Sequence, residues 1–153
     1  MIGLLQRVTE ARVEVDCITV GAIGQGLLVF IAVEPDDSQA EARRLIDRLT
    51  AYRVFADDDD RMNLSVADVG GELLLVSQFT LAADTRKGLR PSFTTAAPPE
   101  LGQALFEYAA DYARTLLPGR VATGRFGADM QVSLTNDGPV TFWIRIARGT
   151  ATE

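Results

Sequence analysis

Two apolar stripes of helical period, each set between runs of strand character, constrain this chain more than any other feature of it. In the first, Ala42, Leu45, Ile46, Leu49 and Tyr52 recur at helical spacing. That is one face of an amphipathic helix, with Arg43, Arg44, Asp47 and Arg48 left to solvent. Ser38-Gln39-Ala40-Glu41 precedes it in the form of a capping box, where a serine oxygen and a glutamate carboxylate satisfy orphan backbone donors reciprocally. The second stripe starts after Pro98-Pro99, turns Leu101, Ala104, Leu105, Tyr108 and Tyr112 inward, and stops near Pro118-Gly119.

Residues 2–9, 12–16, 18–22 and 27–33 have strand character before the first helix, and residues 52–55 and 72–79 have it between the helices. After the second, Met130, Val132 and Leu134, then Val140, Phe142, Ile144 and Ile146, alternate with polar partners at period two. The order is strands, helix, strands, helix, strands, and 153 residues allow one domain. It predicts an α+β fold: a curved, largely antiparallel, barrel-like sheet carrying two amphipathic helices. A chain of this size, 47% hydrophobic, buries a core without a disulfide or metal staple. Its longest apolar runs, such as residues 27–33, fall far short of the roughly 20 residues that span a bilayer. The opening Met1-Ile2-Gly3-Leu4-Leu5-Gln6-Arg7 lacks a basic stretch ahead of an apolar one, so no signal peptide is expected. A cytoplasmic protein is the expectation.

The chain contains no histidine. That excludes a Ser-His-Asp triad, a Cys-His dyad, an H-E-x-x-H zinc site and histidine acid–base chemistry. With one cysteine besides, a closed zinc site of the usual kind is excluded too. An enzyme built on this chain must use backbone groups, carboxylates, lysine, a cofactor or the substrate's own atoms. The net charge of −6 argues against a broad electrostatic grip on a nucleic-acid duplex. It leaves open a short single-stranded end, where stacking and local contacts do much of the work.

Several conspicuous stretches read as ordinary structure. Gly21-Ala22-Ile23-Gly24-Gln25-Gly26 has the spacing GxxGxG and leads into an apolar strand, so it is a hairpin or connecting turn and not a dinucleotide fingerprint. Asp57-Asp58-Asp59-Asp60 fails the calcium-loop pattern, since Met62 and Asp68 stand where glycine and glutamate belong; a solvated turn is expected. Cys17 has no basic neighbour to lower its pKa and reads as a small buried or edge filler. Ser77 is flanked by Leu75 and Phe79 where a nucleophile elbow has glycines. Two segments are less ordinary. Ser77-Gln78-Phe79-Thr80-Leu81 ends an apolar strand in polar groups and runs into a local basic cluster, Arg86, Lys87 and Arg90. Asn136-Asp137-Gly138-Pro139-Val140-Thr141 places Gly-Pro between two alternating strands, where a plain hairpin prefers a strand donor next.

These segments carry a resemblance. Ser77-Gln78-Phe79-Thr80-Leu81, the loop 88–93, Gly124-Arg125-Phe126-Gly127-Ala128-Asp129-Met130 and Asn136-Asp137-Gly138-Pro139-Val140-Thr141 resemble the signature segments of the D-aminoacyl-tRNA deacylases. The opening, with Gln6-Arg7-Val8, is similar to that family's first strand. The likeness covers residues 1–146 and leaves 147–153 as a tail.

The resemblance implies hydrolysis of the ester that links a D-amino acid to the 3′-terminal adenosine of tRNA, and of glycine mischarged on tRNA(Ala). It implies a homodimer with its sites at the subunit interface, no cofactor, no metal, and the aminoacyl-tRNA 3′ end as partner, with neither membrane nor DNA. Gly138-Pro139 would be a Gly-cisPro pair inserted into the partner's pocket, its carbonyls facing the substrate's α-amino group and leaving no room for an L side chain. A side chain at 138 would fill the space through which the substrate enters, and Arg7 would hold the loop. Phe79 and Thr80 would offer backbone N–H groups to the developing oxyanion, with Gln78 nearby, Ser77 on the substrate side and Met130 lining the adenosine site. The substrate's own 2′-hydroxyl would assist. Thr80 as covalent nucleophile is the rival mechanism, though no side-chain base is visible to activate it. The rival functions are a non-catalytic RNA-3′-end-binding or editing-associated module and a general small-ester hydrolase.

Overall fold

The computed structural model describes residues 1–147, so all of the expected tail beyond Ala147 lies outside the described residues. The chain begins with β1 (Ile2–Val15), one strand of 14 residues where the polar interruption at Thr9-Glu10 suggested two. It stays continuous because its neighbours change along it: residues 2–8 pair with β3 (Gly26–Ala32), and residues 11–15 pair with β2 (Ile18–Ile23). Along its whole length it also pairs with β8 (Gln131–Arg145), with register shifts between Gln6 and Val8 and between Val8 and Glu10. Those irregularities bend β1 so that its two halves serve two parts of one curved sheet.

The connection from β1 to β2 is the two-residue turn Asp16-Cys17, with φ of 50° and 63°. Consecutive positive φ angles match the right-handed twist of flanking strands. Cys17 is therefore an exposed turn residue, and the expectation of a buried or edge filler is corrected. The glycine-rich segment splits in the same way: Gly21 is on β2, Gly26 opens β3, and Gly24-Gln25 connects two strands that both lie on β1.

The centre of the sheet is parallel. β3 pairs with β6 (Glu72–Ser77), and β6 with β7 (Val121–Thr123), whereas every ladder of β1 is antiparallel. Parallel neighbours need long crossovers, and the two helices supply them: α1 (Gln39–Ala51) between β3 and β6, α2 (Pro99–Leu116) between β6 and β7. β3 and β6 are buried on both faces. Leu27, Val29, Ile31, Leu73 and Leu75 pack under the helices with Leu45, Leu49, Phe106 and Ala109. Leu28, Leu74 and Val76 point the other way, against Val8, Val13 and Ile23 of the curved sheet's interior. Strands covered twice read as unbroken apolar runs, which is the pattern of residues 27–33. At the far edge β7 returns against β2: a Cβ at Gly21 would collide with the Thr123 carbonyl, so only glycine permits this near-closure.

The capping box of α1 forms as the sequence implies. The Ser38 N–H donates to Glu41 Oε2 at 2.9 Å and the Ala40 N–H donates to Ser38 Oγ at 3.2 Å. Tyr52, placed on the helical stripe by its spacing, is the residue that ends the helix, its backbone extended at ψ 124°. Of the strand expected at residues 52–55, Phe55 alone is in one: β4 (Phe55–Ala56) pairs with β5 (Met62–Leu64). The aspartate run is the turn between them, with Asp57 Oδ1 accepting the Asp59 and Arg61 N–H groups at 2.9 and 3.0 Å. The Met1 ammonium is buried between Asp37 (2.6 Å) and Glu34 (3.1 Å), and Arg145 grips Glu34 through both oxygens at 2.6 and 3.0 Å. No helix among the described residues is long and apolar enough to cross a membrane.

Candidate active site

Parallel strands end side by side, and their carboxyl ends open a crevice that a fold can use. Here the β3–β6 ladder ends at the Ile31–Ser77 pair, and beyond it lies a cleft of about 510 Å3. Gln78 extends the ladder by one bond, its N–H donating to the Ile31 carbonyl at 2.7 Å. The backbone then turns at Gln78 (φ −147°, ψ 75°) into a single 3-10 turn, Phe79–Ala82. Leu81 donates to the Gln78 carbonyl at 3.2 Å and Ala83 to the Thr80 carbonyl at 3.1 Å. The first donors of a helical turn have no acceptor within it, so the N–H groups of Phe79 and Thr80 are the ones this geometry frees.

The cleft's other wall comes from α2 and from the segment that enters β8. Gly102 faces Phe126, and a Cβ there would sit 3.5 Å from the ring. Phe106 packs near the same ring, with centroids 6.3 Å apart. Met130 closes the wall, its sulfur so near Gly124 that a Cβ at 124 would lie 2.8 Å from it. The lining is mostly apolar, with Ser77, Gln78 and Asp129 as its polar members. Thr80 stands just outside, its hydroxyl accepting from Gln78 Nε2 at 2.6 Å. Phe79 is 59% exposed and its ring leans on Phe93, centroids 5.1 Å apart at 60°. No group of three or more His, Cys, Asp or Glu side chains that could hold a metal occurs among the described residues.

Of the residues singled out from the sequence, Ser77, Gln78, Phe79 and Met130 line this one cleft, with Thr80 at its edge. Arg7, Gly138 and Pro139 do not line it. They form a second cluster on the β1–β8 ladder. The Gly138–Pro139 bond is cis, and both residues are exposed. Arg7 holds the strand from within: its Nε donates to the Asp137 carbonyl at 2.9 Å and its Nη1 to the Val54 carbonyl at 2.6 Å. Asn136 adds a clamp that sequence reasoning did not single out, its Nδ2 donating at 3.0 Å to both the Arg7 and the Val140 carbonyls. The glycine at 138 is demanded by this same segment. A Cβ there would strike Asn136 Oδ1 and come within 2.8 Å of the Val140 nitrogen, so the constraint arises inside the loop before any substrate is considered. Nor are Gly138 and Pro139 a turn between two strands: both lie within β8.

Sequence reasoning also missed Gly102, Phe106 and Phe126 as cleft residues. The available signal was Gly102 itself, a helix-breaking residue on the inward stripe of α2, whose absent side chain makes room for an aromatic ring.

The chain matches the family model of D-Tyr-tRNA(Tyr) deacylase over residues 4–145. It is 64% identical over 145 residues to the D-aminoacyl-tRNA deacylase of Pseudomonas fluorescens, covering 95% of this chain and 99% of that one. It is 58% identical over 146 residues to the D-aminoacyl-tRNA deacylase of Hahella chejuensis, again covering 95% and 99%. Among solved structures, the c-Myc DNA Unwinding Element Binding Protein superposes with a TM-score of 0.92 at 36% identity, covering 96% of this chain and 99% of that one.

Proposed function

This chain belongs to the D-Tyr-tRNA(Tyr) deacylase family and is a hydrolase of the D-aminoacyl-tRNA ester, and from that premise we propose how its residues divide the work. The substrate carbonyl sits at the Phe79 turn, where the backbone N–H groups of Phe79 and Thr80 receive the charge that develops on oxygen as the ester is attacked. Preorganised donors of this kind are worth more to an acyl transfer than a side-chain base in a site that lacks histidine. Gln78 and Ser77 border the reacting carbon, and Met130 lies against the terminal adenosine. Water adds to the carbonyl, the C–O bond to the ribose 3′-oxygen breaks, and that oxygen leaves with a proton. The neighbouring 2′-hydroxyl, fixed by the ribose, assists that exchange by proximity.

Thr80 is not the nucleophile. Its hydroxyl accepts a hydrogen bond from the Gln78 amide, and an amide donor cannot take the proton a nucleophilic threonine would have to lose.

The observation that carries the proposal is the separation of the two clusters. In one chain the exposed Gly138-Pro139 segment stands apart from the cleft. We therefore assign it to the cleft of a second copy in a homodimer, where its carbonyls meet the substrate's ammonium and its backbone excludes an L side chain. Clearance of glycine mischarged on tRNA(Ala) follows from the same wall, because glycine has no side chain to be excluded. The site of action is the cytoplasm, and the only nucleic acid engaged is the aminoacyl-tRNA end. A non-catalytic module that binds RNA 3′ ends is the alternative, and turnover separates the two. Matched D-aminoacyl-, L-aminoacyl- and glycyl-tRNA should be cleaved in the D and glycyl cases alone. Replacing the terminal adenosine by its 2′-deoxy form should slow the reaction far more than Thr80→Ala. Binding without turnover of any of the three would refute the proposal.

A further inference from the structure

The segment between Asp84 and Ser92 is a closed loop, with the Asp84 N–H donating to the Ser92 carbonyl at 2.8 Å and the Ser92 N–H returning to Asp84 at 3.1 Å. Residues 85–91 are all exposed, and Leu89 is wholly in solvent. The loop reads Thr85-Arg86-Lys87-Gly88-Leu89-Arg90-Pro91, with its cations unmixed with acids in a chain of net charge −6. Arg86 is spent on structure. It forks the Asp84 carboxylate at 2.8 and 2.7 Å, holds that carboxyl well below the usual range, and braces the base of the loop. Among the described residues Lys87 and Arg90 have no carboxylate partner. The loop is also fastened to the cleft. It leaves the 3-10 turn directly, the Thr95 hydroxyl donates to the Ala82 carbonyl, and the Phe93 ring rests on Phe79 with 44% of the residue still exposed. Between the cleft and the two free cations there is thus an open aromatic surface.

Single-stranded RNA ends are held by this pair of devices, aromatic faces for bases and cations for phosphates. We infer that the loop 85–93 is the docking strip for the single-stranded acceptor end of the tRNA: Lys87 and Arg90 take backbone phosphates on the 5′ side of the terminal adenosine, and the Phe79–Phe93 pair takes the face of a base. The inference rests on the deacylase reading above, because it takes the scissile ester to lie at the Phe79 turn.

The test compares two substrates, D-aminoacyl-tRNA and the D-aminoacyl ester of adenosine alone, in the parent and in Lys87→Ala/Arg90→Ala. For the tRNA, kcat/KM should fall about tenfold, and its log–log dependence on salt should flatten by about 1.4, or about 0.7 for each of two phosphates released. The adenosine ester, which has no such phosphates, should show no comparable loss. Lys87→Arg/Arg90→Lys should recover the tRNA rate and the salt slope, since charge and not fork geometry is being used. Equal losses on both substrates, or an unchanged slope on the tRNA, would overturn the inference. A parent chain that cleaves neither ester would instead overturn the deacylase reading, and the docking strip with it.

Discussion

Arg7 and Asp137 meet twice: the Arg7 Nε lies 2.9 Å from the Asp137 carbonyl oxygen and 3.0 Å from its carboxylate. One guanidinium thereby fixes both the backbone and the side chain of the residue that precedes Gly138, while its other arm is anchored on Val54.

Arg7→Ala removes all of these contacts and should lower kcat/KM on D-aminoacyl-tRNA. Hydrogen bonds from a charged group contribute roughly 1.5–3 kcal/mol when well buried; Asp137 is 44% exposed, so the stability loss should fall at or below the low end. Arg7→Lys should rescue little, because an ammonium cannot bridge the Asp137 and Val54 carbonyls with the same planar fork. Full activity in Arg7→Lys, measured beside thermal unfolding, would remove the loop-holding role.

Gly138→Ala should depress turnover of D-aminoacyl-tRNA while leaving most of the thermal stability intact. The added Cβ displaces Asn136 and crowds the Val140 nitrogen at 2.8 Å, so the loop must change shape although the apolar core is untouched. The variant should not come to prefer L substrates, since the proposed mechanism assigns their rejection to the wall as a whole. Parent-like rates with D-aminoacyl-tRNA would show that the loop's shape is irrelevant to the reaction.

Thr80→Ala should retain measurable activity. The role given to residue 80 lies in its main-chain N–H, which the substitution keeps; losing one oxyanion donor costs roughly 10²–10³ in rate, and this change should cost less. Mass spectrometry on quenched reactions should find no acyl group on Thr80. Detection of one would reverse the assignment.

Acid stability should depend on Glu34 and Glu41. Burial raises the Glu34 pKa, but Arg145 and the Met1 ammonium outweigh it and leave the group below the ordinary 4.5. The Ser38 hydroxyl is the largest cause for Glu41, which ends below 4.5 as well, against the opposing effect of burial. A depressed folded-state pKa means the native state binds fewer protons, so this stability is complete above the ordinary carboxylate range and disappears as pH falls through the folded values. Glu34→Gln should flatten the acid limb of unfolding free energy against pH. Ser38→Ala should cost about 1 kcal/mol at neutral pH through the lost cap and flatten that limb further. An acid limb identical to the parent's in both variants would contradict the scheme.

What could be read from the sequence depended on how local its cause was. The capping box and both helices were legible because their determinants lie within a few residues of one another. The continuity of β1 was not: Thr9-Glu10 looks like a break, and only the exchange of β3 for β2 as neighbour explains why the strand persists. The parallel pairing of β3 with β6 is equally silent, since an apolar run buried on both faces does not report its direction. In the site, Ser77-Gln78-Phe79-Thr80 stood out as polar groups ending an apolar strand. Gly102 interrupted the stripe of α2 and Phe126 lay in a signature segment, but nothing in the sequence showed that the two meet, because their contact joins a helix to a distant loop.

The proposed assignment of Gly138-Pro139 to the cleft of a second copy has a genetic consequence. Lesions in the cleft and lesions in the loop should complement each other. A chain carrying Met130→Ala and a chain carrying Arg7→Ala, each weak alone, would form mixed pairs in which one site collects both defects and the other collects none. With random assortment, about one site in four is then whole, and co-expression should return activity that neither variant has by itself. Two lesions in the same cluster, such as Arg7→Ala and Gly138→Ala, should not rescue each other.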